Sequence, residues 1–223
     1  MTAGEFPLHL FRLASPSLPV GAFSYSRGLE SVIERGWVND EQSAQDWILG
    51  VLEHIYAALD GPLFVRMMAA LADDDRDVFL RNDMWLRAAR ESAELQLEDL
   101  RMGMALQRLL RDLDIPAAAI YADRDLSYPA AFAIAAHHGN VPCSQALHAL
   151  MWSALEAQVA AAMRLVPLGQ TSGQRIMIKS VDVMTRCAAR ALELTDDEIG
   201  NTAPSLAMAS AWHEVQYTRL FRS

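Results

Sequence analysis

The chain is short of cysteine, has one lysine, and contains neither a strand-type ladder nor an uninterrupted apolar run of bilayer length. Two cysteines, Cys143 and Cys187, among 223 residues cannot form a disulfide framework, and their spacing fits no zinc signature. A reduced, cytoplasmic protein is the economical reading. Arg, Asp, Glu or Pro interrupt each apolar stretch before the roughly 20 residues that a membrane-spanning helix needs. The first residues include Glu5 and no basic segment, unlike a secretory signal. A formal net charge of -9 and a pI near 5.1 argue against nucleic acid as the main ligand, because phosphate backbones call for a basic face. Val, Ile and Thr never alternate with polar residues for long, which removes the usual pattern of a half-buried strand.

What is present is helical periodicity. Hydrophobic residues make up 52% of the chain and charged ones 21%, enough apolar material for a substantial core. Between Glu91 and Leu113, the positions Leu95, Met102, Leu106, Leu109 and Leu113 recur at intervals of three, four or seven and fall on one helix face. Glu94, Glu98, Arg101, Arg108 and Arg111 occupy the other, where Glu98 and Arg101 can meet across a turn. A second long helix opens at Val141-Pro142 and runs through Leu147, Met151, Ala154, Gln158 and Ala162 until Pro167 stops it. Trp47, Val51, Ile55 and Leu59 form a third ladder behind the capping residues Asn39 and Asp40. Further helices are expected around 5–14, 25–35, 61–72, 76–88, 129–138, 172–190 and 204–216, while 114–126 is weakly marked. Loop signals at Ser15–Pro19, Asp73–Asp75, Ile115-Pro116 and Pro167–Gly173 are too short for interdomain linkers, and no solenoid repeat is visible. The expectation is all-α: a single compact multi-helix domain over residues 1–223, with about ten helices.

Few residues suggest chemistry. The loop Gly169–Arg175 fails as a phosphate-binding loop because the second glycine comes too early and Gln174-Arg175 replaces the Lys-Ser/Thr pair. His213-Glu214-Val215-Gln216-Tyr217 misses the zinc-protease helix, with Tyr217 where the second histidine belongs; His213 then reads as a packing or hydrogen-bonding residue. His137, His138, Cys143 and His148 are the densest group of metal-capable side chains, and a helix C-terminus is the plainer explanation of the two adjacent histidines. Ser24 and Ser26 lack a nucleophile-elbow pattern. No catalytic, cofactor-binding or metal set is therefore assigned, and the chain is expected not to be an enzyme.

Two features suggest a partner instead. The ending Tyr217-Thr218-Arg219-Leu220-Phe221-Arg222-Ser223 interleaves two arginines with aromatic and aliphatic residues on an acidic protein. It reads as an interaction tail over about 217–223, mobile in the free chain, although folding back on the chain's own acidic surface would fit the same pattern. Arg175 and Lys179, one turn apart, form a short basic stripe suited to fixing a partner's register, or simply to solvation. In the segment Leu18–Glu30, Phe23 and Tyr25 are expected to anchor by burial and Glu30 to face a partner.

The run Leu13-Ala14-Ser15-Pro16-Ser17-Leu18-Pro19-Val20-Gly21-Ala22-Phe23-Ser24-Tyr25-Ser26-Arg27-Gly28-Leu29-Glu30, followed by Gly36-Trp37-Val38, resembles the urease accessory proteins of the UreF type. So do Glu91–Leu95 with Arg101-Met102-Gly103, Pro167–Gln170 with Gly173-Gln174-Arg175, and His213-Glu214 through Ser223. The resemblance implies an all-helical, non-catalytic, homodimeric chaperone. It would bind UreD (also called UreH), recruit the GTPase UreG and help deliver nickel to apo-urease, with its C-terminal tail ordering against UreD. It leaves open a regulator that activates or restrains the UreG GTPase, with Arg175 the first candidate. A nickel-binding module built on the His137, His138, Cys143 and His148 group is also left open.

Overall fold

The computed structural model describes residues 8–200 and 203–223. Glu5 and the first residues of the helix expected over 5–14 lie outside that range. Among the described residues the chain is helical throughout, with no strand. The helices are α1 Leu8–Ala14, α2 Leu29–Glu34, α3 Glu41–Val51, α4 Gly61–Ala72, α5 Arg76–Ala88, α6 Ala93–Asp112, α7 Pro116–Ile120, α8 Tyr128–His138, α9 Cys143–Leu165, α10 Gln170–Glu193 and α11 Pro204–Glu214. A π-helical segment, Leu52–Asp60, joins α3 to α4 without a break, so these elements form one rod of 32 residues.

Local chemistry explains the boundaries. Asp40 caps α3 through a reciprocal pair with Ser43, as its position before the Trp47 ladder suggests. Asp75, Ser92 and Ser127 each accept a bond from a first-turn amide of α5, α6 and α8. Pro116, Pro129 and Pro204 lie in first turns, where a missing N–H costs nothing. The weakly marked 114–126 stretch holds only the short α7 and a turn. Leu113, placed by periodicity on the apolar stripe of α6, is exposed at its end.

The rod Glu41–Ala72 is long and apolar enough by composition to cross a membrane, but 72% of its apolar window is buried within the protein. It is a core helix: Ile48, Ile55, Leu59, Leu63, Phe64 and Met67 have almost no exposed surface. Helices α8, α9 and α10 pack around it, and Phe64 meets Phe132 of α8 edge-on at 6.2 Å. Helix α6 crosses onto the segment before α8 at Gly103, where a Cβ would collide with the Leu126 carbonyl. Only glycine permits that approach.

Candidate functional site

The site begins at a turn. Arg27 and Gly28 both adopt positive φ, 52° and 76°, and a Cβ on Gly28 would lie 3.0 Å from the Ala209 side chain of α11. This close approach sets α11 against α2 and brings His213 between two helices. Its Nδ1 lies 2.7 Å from Glu94 of α6, and its Nε2 lies 3.1 Å from Glu30 of α2. The ring has no exposed surface. Each ring nitrogen thus faces a carboxylate oxygen from a different helix.

The two carboxylates also hold the chain's end. Glu30 accepts the amides of Leu220 at 2.6 Å and Phe221 at 2.9 Å, and Glu94 accepts Arg219 Nη1 at 2.9 Å. The Arg222 amide donates to the Ser24 carbonyl, and the Ser26 amide and hydroxyl both donate to the Ser223 carbonyl. Ser223 Oγ donates to Glu98 at 2.6 Å, and Phe221 is buried. The segment expected to be mobile is thus seated on its own chain. Its backbone finds donors and acceptors along Ser24–Glu30, and its phenylalanine finds the apolar cover that sequence periodicity did not reveal.

The seat divides the residues expected to meet a partner. Glu30, Phe221 and Ser223 are turned inward, whereas Tyr217, Leu220 and Arg222 are exposed and Arg219 is half-exposed beside Glu94. Glu30 faces the tail because the Arg27-Gly28 turn aims the first turn of α2 at it. Tyr25 is buried as expected, but Phe23, expected to anchor its segment, is 69% exposed because it sits on a short 3-10 turn at the surface. Nearby, Trp37 and Trp212 meet edge-on at 5.2 Å, and the Arg35 guanidinium stacks 4.4 Å from the Trp212 ring centre. Phe23, Trp37, Val215, Tyr217 and Leu220 leave large apolar surfaces in water, and Arg35 and Arg222 are exposed as well.

Beneath the seat lies a cluster of buried charges. Glu98 accepts Arg27 Nε at 2.8 Å, and Arg27 Nη1 donates to the Tyr56 hydroxyl at 2.9 Å. Arg90 grips Asp60 with two bonds, 2.8 and 2.9 Å, and reaches Asp99 at 3.3 Å. The π-helical segment supplies both Tyr56 and Asp60. Burial alone would weaken the charge on each guanidinium, but the neighbouring acids, Tyr56 and then Glu98 for Arg27 and Asp60 and Asp99 for Arg90, overcome it and hold both arginines above their ordinary pKa. Burial pushes the Tyr128 phenol up to about 12 and raises the Asp83 carboxyl, which accepts the Ser127 amide. The expected meeting of Glu98 with Arg101 does not occur, since Glu98 points inward to Arg27 and Ser223.

The basic stripe lies elsewhere. Arg175 and Lys179 are exposed on α10, and Arg175 Nη1 lies 3.2 Å from Glu41 at the start of α3. A bond from Ser172, then Arg175 and Lys179, lower the Glu41 pKa. The His137, His138, Cys143 and His148 group is not assembled as a metal site. The first two end α8, and the ring of His148 is bonded to the Ser144 carbonyl within α9. Among the described residues no three or more His, Cys, Asp or Glu side chains are grouped to hold a metal ion. A separate apolar groove of about 290 Å³ is lined by Leu10, Phe11, Ala149, Trp152, Val181 and Met184 from α1, α9 and α10.

Sequence reading missed Ser26, Arg27, Glu94, Glu98 and Gln158, whose amide donates to the Ser26 carbonyl, as parts of the seat. The signal was Arg27-Gly28 within the Ser-Arg-Gly-Leu-Glu run, where a glycine before a helix marks a turn that aims its neighbours.

The family model for UreF matches residues 38–180. The chain belongs to the UreF family. It is 56% identical over 217 residues to urease accessory protein UreF 2 of Brucella anthropi, covering 97% of this chain and 96% of that one. It is 44% identical over 215 residues to urease accessory protein UreF of Alkalilimnicola ehrlichii, covering 96% and 94%. It is 45% identical over 228 residues to urease accessory protein UreF of Azoarcus sp., covering 99% and 97%. These relatives carry the name of accessory proteins rather than enzymes, and UreF membership places this chain in urease maturation. The UreF match covers residues 38–180, so the Arg27-Gly28 turn and the seated tail lie outside it.

Proposed function

We propose that this chain is a non-catalytic, cytoplasmic adaptor of urease maturation. It dimerises, docks on UreD (UreH) through the surface around its seated tail, and recruits the GTPase UreG so that nickel reaches apo-urease. The observation that carries this reading is the tail itself. Glu30 and Ser26 hold its backbone and Glu98 holds the Ser223 hydroxyl, while Tyr217, Leu220 and Arg222 stand outward. A docking segment fixed before binding loses less conformational entropy on association than a mobile one, and aromatic anchors rimmed by arginine are the common energetic centre of interfaces.

The apolar groove between α1, α9 and α10 is the surface offered to a second copy, in a two-fold contact where the same patch serves both protomers. Arg175 and Lys179 stand on α10 for the GTPase, their charges exposed and only partly engaged by Glu41. Co-purification with UreD and UreG tests the scheme. Tyr217→Ala with Leu220→Ala is expected to abolish UreD capture while leaving the helical signal intact, and Trp152→Glu to yield monomers in light scattering. Wild-type capture by the first variant, or a dimeric second variant, overturns the corresponding part. GTP turnover by UreG with the Arg175→Ala chain separates a scaffold, whose effect persists, from an activator, whose effect is lost.

A further inference from the structure

We propose that an enclosed chamber beneath the tail's seat is a binding site for ordered water, one or two molecules that join the seat to the buried charge cluster. The chamber is about 30 Å³ and is bounded by Tyr25, Arg27, Tyr56, Glu98, Tyr128 and Gln158. A water needs roughly 10–15 Å³ of such space and two to four polar partners. The volume therefore admits one or two.

The demand for a ligand comes from Gln158 of α9. The residue is 3% exposed, and its Nε2 donates to the Ser26 carbonyl at 2.8 Å. That bond fixes the amide's orientation, since a flipped amide would set two oxygens against each other. Gln158 Oε1 is left buried with no protein donor. A polar atom so placed calls for a donor from outside the chain.

The lining also selects the ligand. The carboxylates that face the chamber are already paired, Glu98 with Arg27 at 2.8 Å and Asp99 with Arg90 at 3.3 Å. The unpaired group is a neutral amide oxygen, which asks for a neutral donor, and the Arg27 guanidinium in the same wall repels a metal ion. Water donates to Gln158 Oε1 while tyrosine hydroxyls and Arg27 complete its remaining bonds. It then stands one bond from Gln158, two from Ser26, and three from Ser223 at the end of the tail.

A high-resolution crystal structure of the full chain, with water-to-amide cross-relaxation measured on the Gln158 side chain, tests this inference. Density within about 2.7–3.2 Å of Gln158 Oε1 and a long-lived water cross-peak are expected. Gln158→Met, which keeps the length and removes the oxygen, is expected to lose the density. Ala157, the neighbour of Gln158 on α9, also lines the chamber; Ala157→Val fills the wall while keeping the Gln158 amide, and is expected to expel the water and speed hydrogen exchange at the Phe221 amide about tenfold. A dry chamber in the wild-type chain, anomalous scattering from a metal there, or unchanged Phe221 exchange in a folded Ala157→Val chain overturns the proposal. The wild-type measurements decide even where a variant fails to fold.

Discussion

Two of the regions in which arginine meets carboxylate behave in opposite ways. Arg27 and Arg90 are held by Glu98, Asp60 and Asp99 with side chains at most 12% exposed, whereas Arg175 keeps 59% of its side chain in water beside Glu41. The buried pairs have no solvent to fall back on, so each partner dictates where its helix must lie. The exposed pair trades with water at little cost, which leaves Arg175 free to exchange Glu41 for another acid. Position relative to the core, rather than residue type, separates pairs that build the fold from pairs that can serve a partner.

The largest expected effect breaks the buried side of the comparison. Arg90→Ala strands Asp60 and Asp99 and is expected to lower stability by about 3–5 kcal/mol in urea denaturation. A loss under about 1 kcal/mol would place this cluster with the surface pairs. Glu30→Ala comes next: it leaves His213 and the Leu220 and Phe221 amides without their acceptor, for a loss of about 2–3 kcal/mol. Hydrogen exchange should show the two tail amides opening before the core helices.

A third effect has the opposite sign. Burial raises the folded-state pKa of Asp83, so its ionised form opposes folding at neutral pH, and that opposition fades as pH falls through the raised value. Asp83→Asn keeps an oxygen for the Ser127 amide. It is expected to raise the melting temperature at pH 7 and to narrow the gap from wild type on acidification. A lower melting temperature at pH 7 would show that the ionised carboxylate contributes more as an acceptor than it costs by burial. The smallest effects lie at the surface. Charge reversal of Arg175 and Lys179, and separately Phe23→Ala, are each expected to change stability by no more than about 0.5 kcal/mol. They should weaken UreG and UreD capture respectively.

The fold was legible because helical periodicity is local. The ladder Trp47, Val51, Ile55 and Leu59 and the cap at Asp40 lie within a few turns of one another, and the structure has them where the pattern puts them. The site was legible only in outline. Tyr217–Ser223 stands out as cationic and aromatic, but whether it is free depends on Glu30, Glu94 and Glu98, more than 100 residues away in sequence. Glu98 shows the difficulty within one helix: its position between Leu95 and Met102 suits either face, and only Arg27 draws it inward. Phe23 failed for the complementary reason, since a large ring is equally at home in a core and in an interface until the turn beneath it is known.

The bond between Ser26 and Ser223 joins positions 197 residues apart. During synthesis at about 5–20 residues per second, the first half of the seat emerges roughly 10–40 s before the second. Arg27 and Glu30 spend that interval, and Glu98 its later part, without the tail that covers them, while α3, α4 and α9 condense from nearby contacts. Closure of the seat is therefore a late event in the life of each new chain, and an open seat marks one whose tail has yet to arrive.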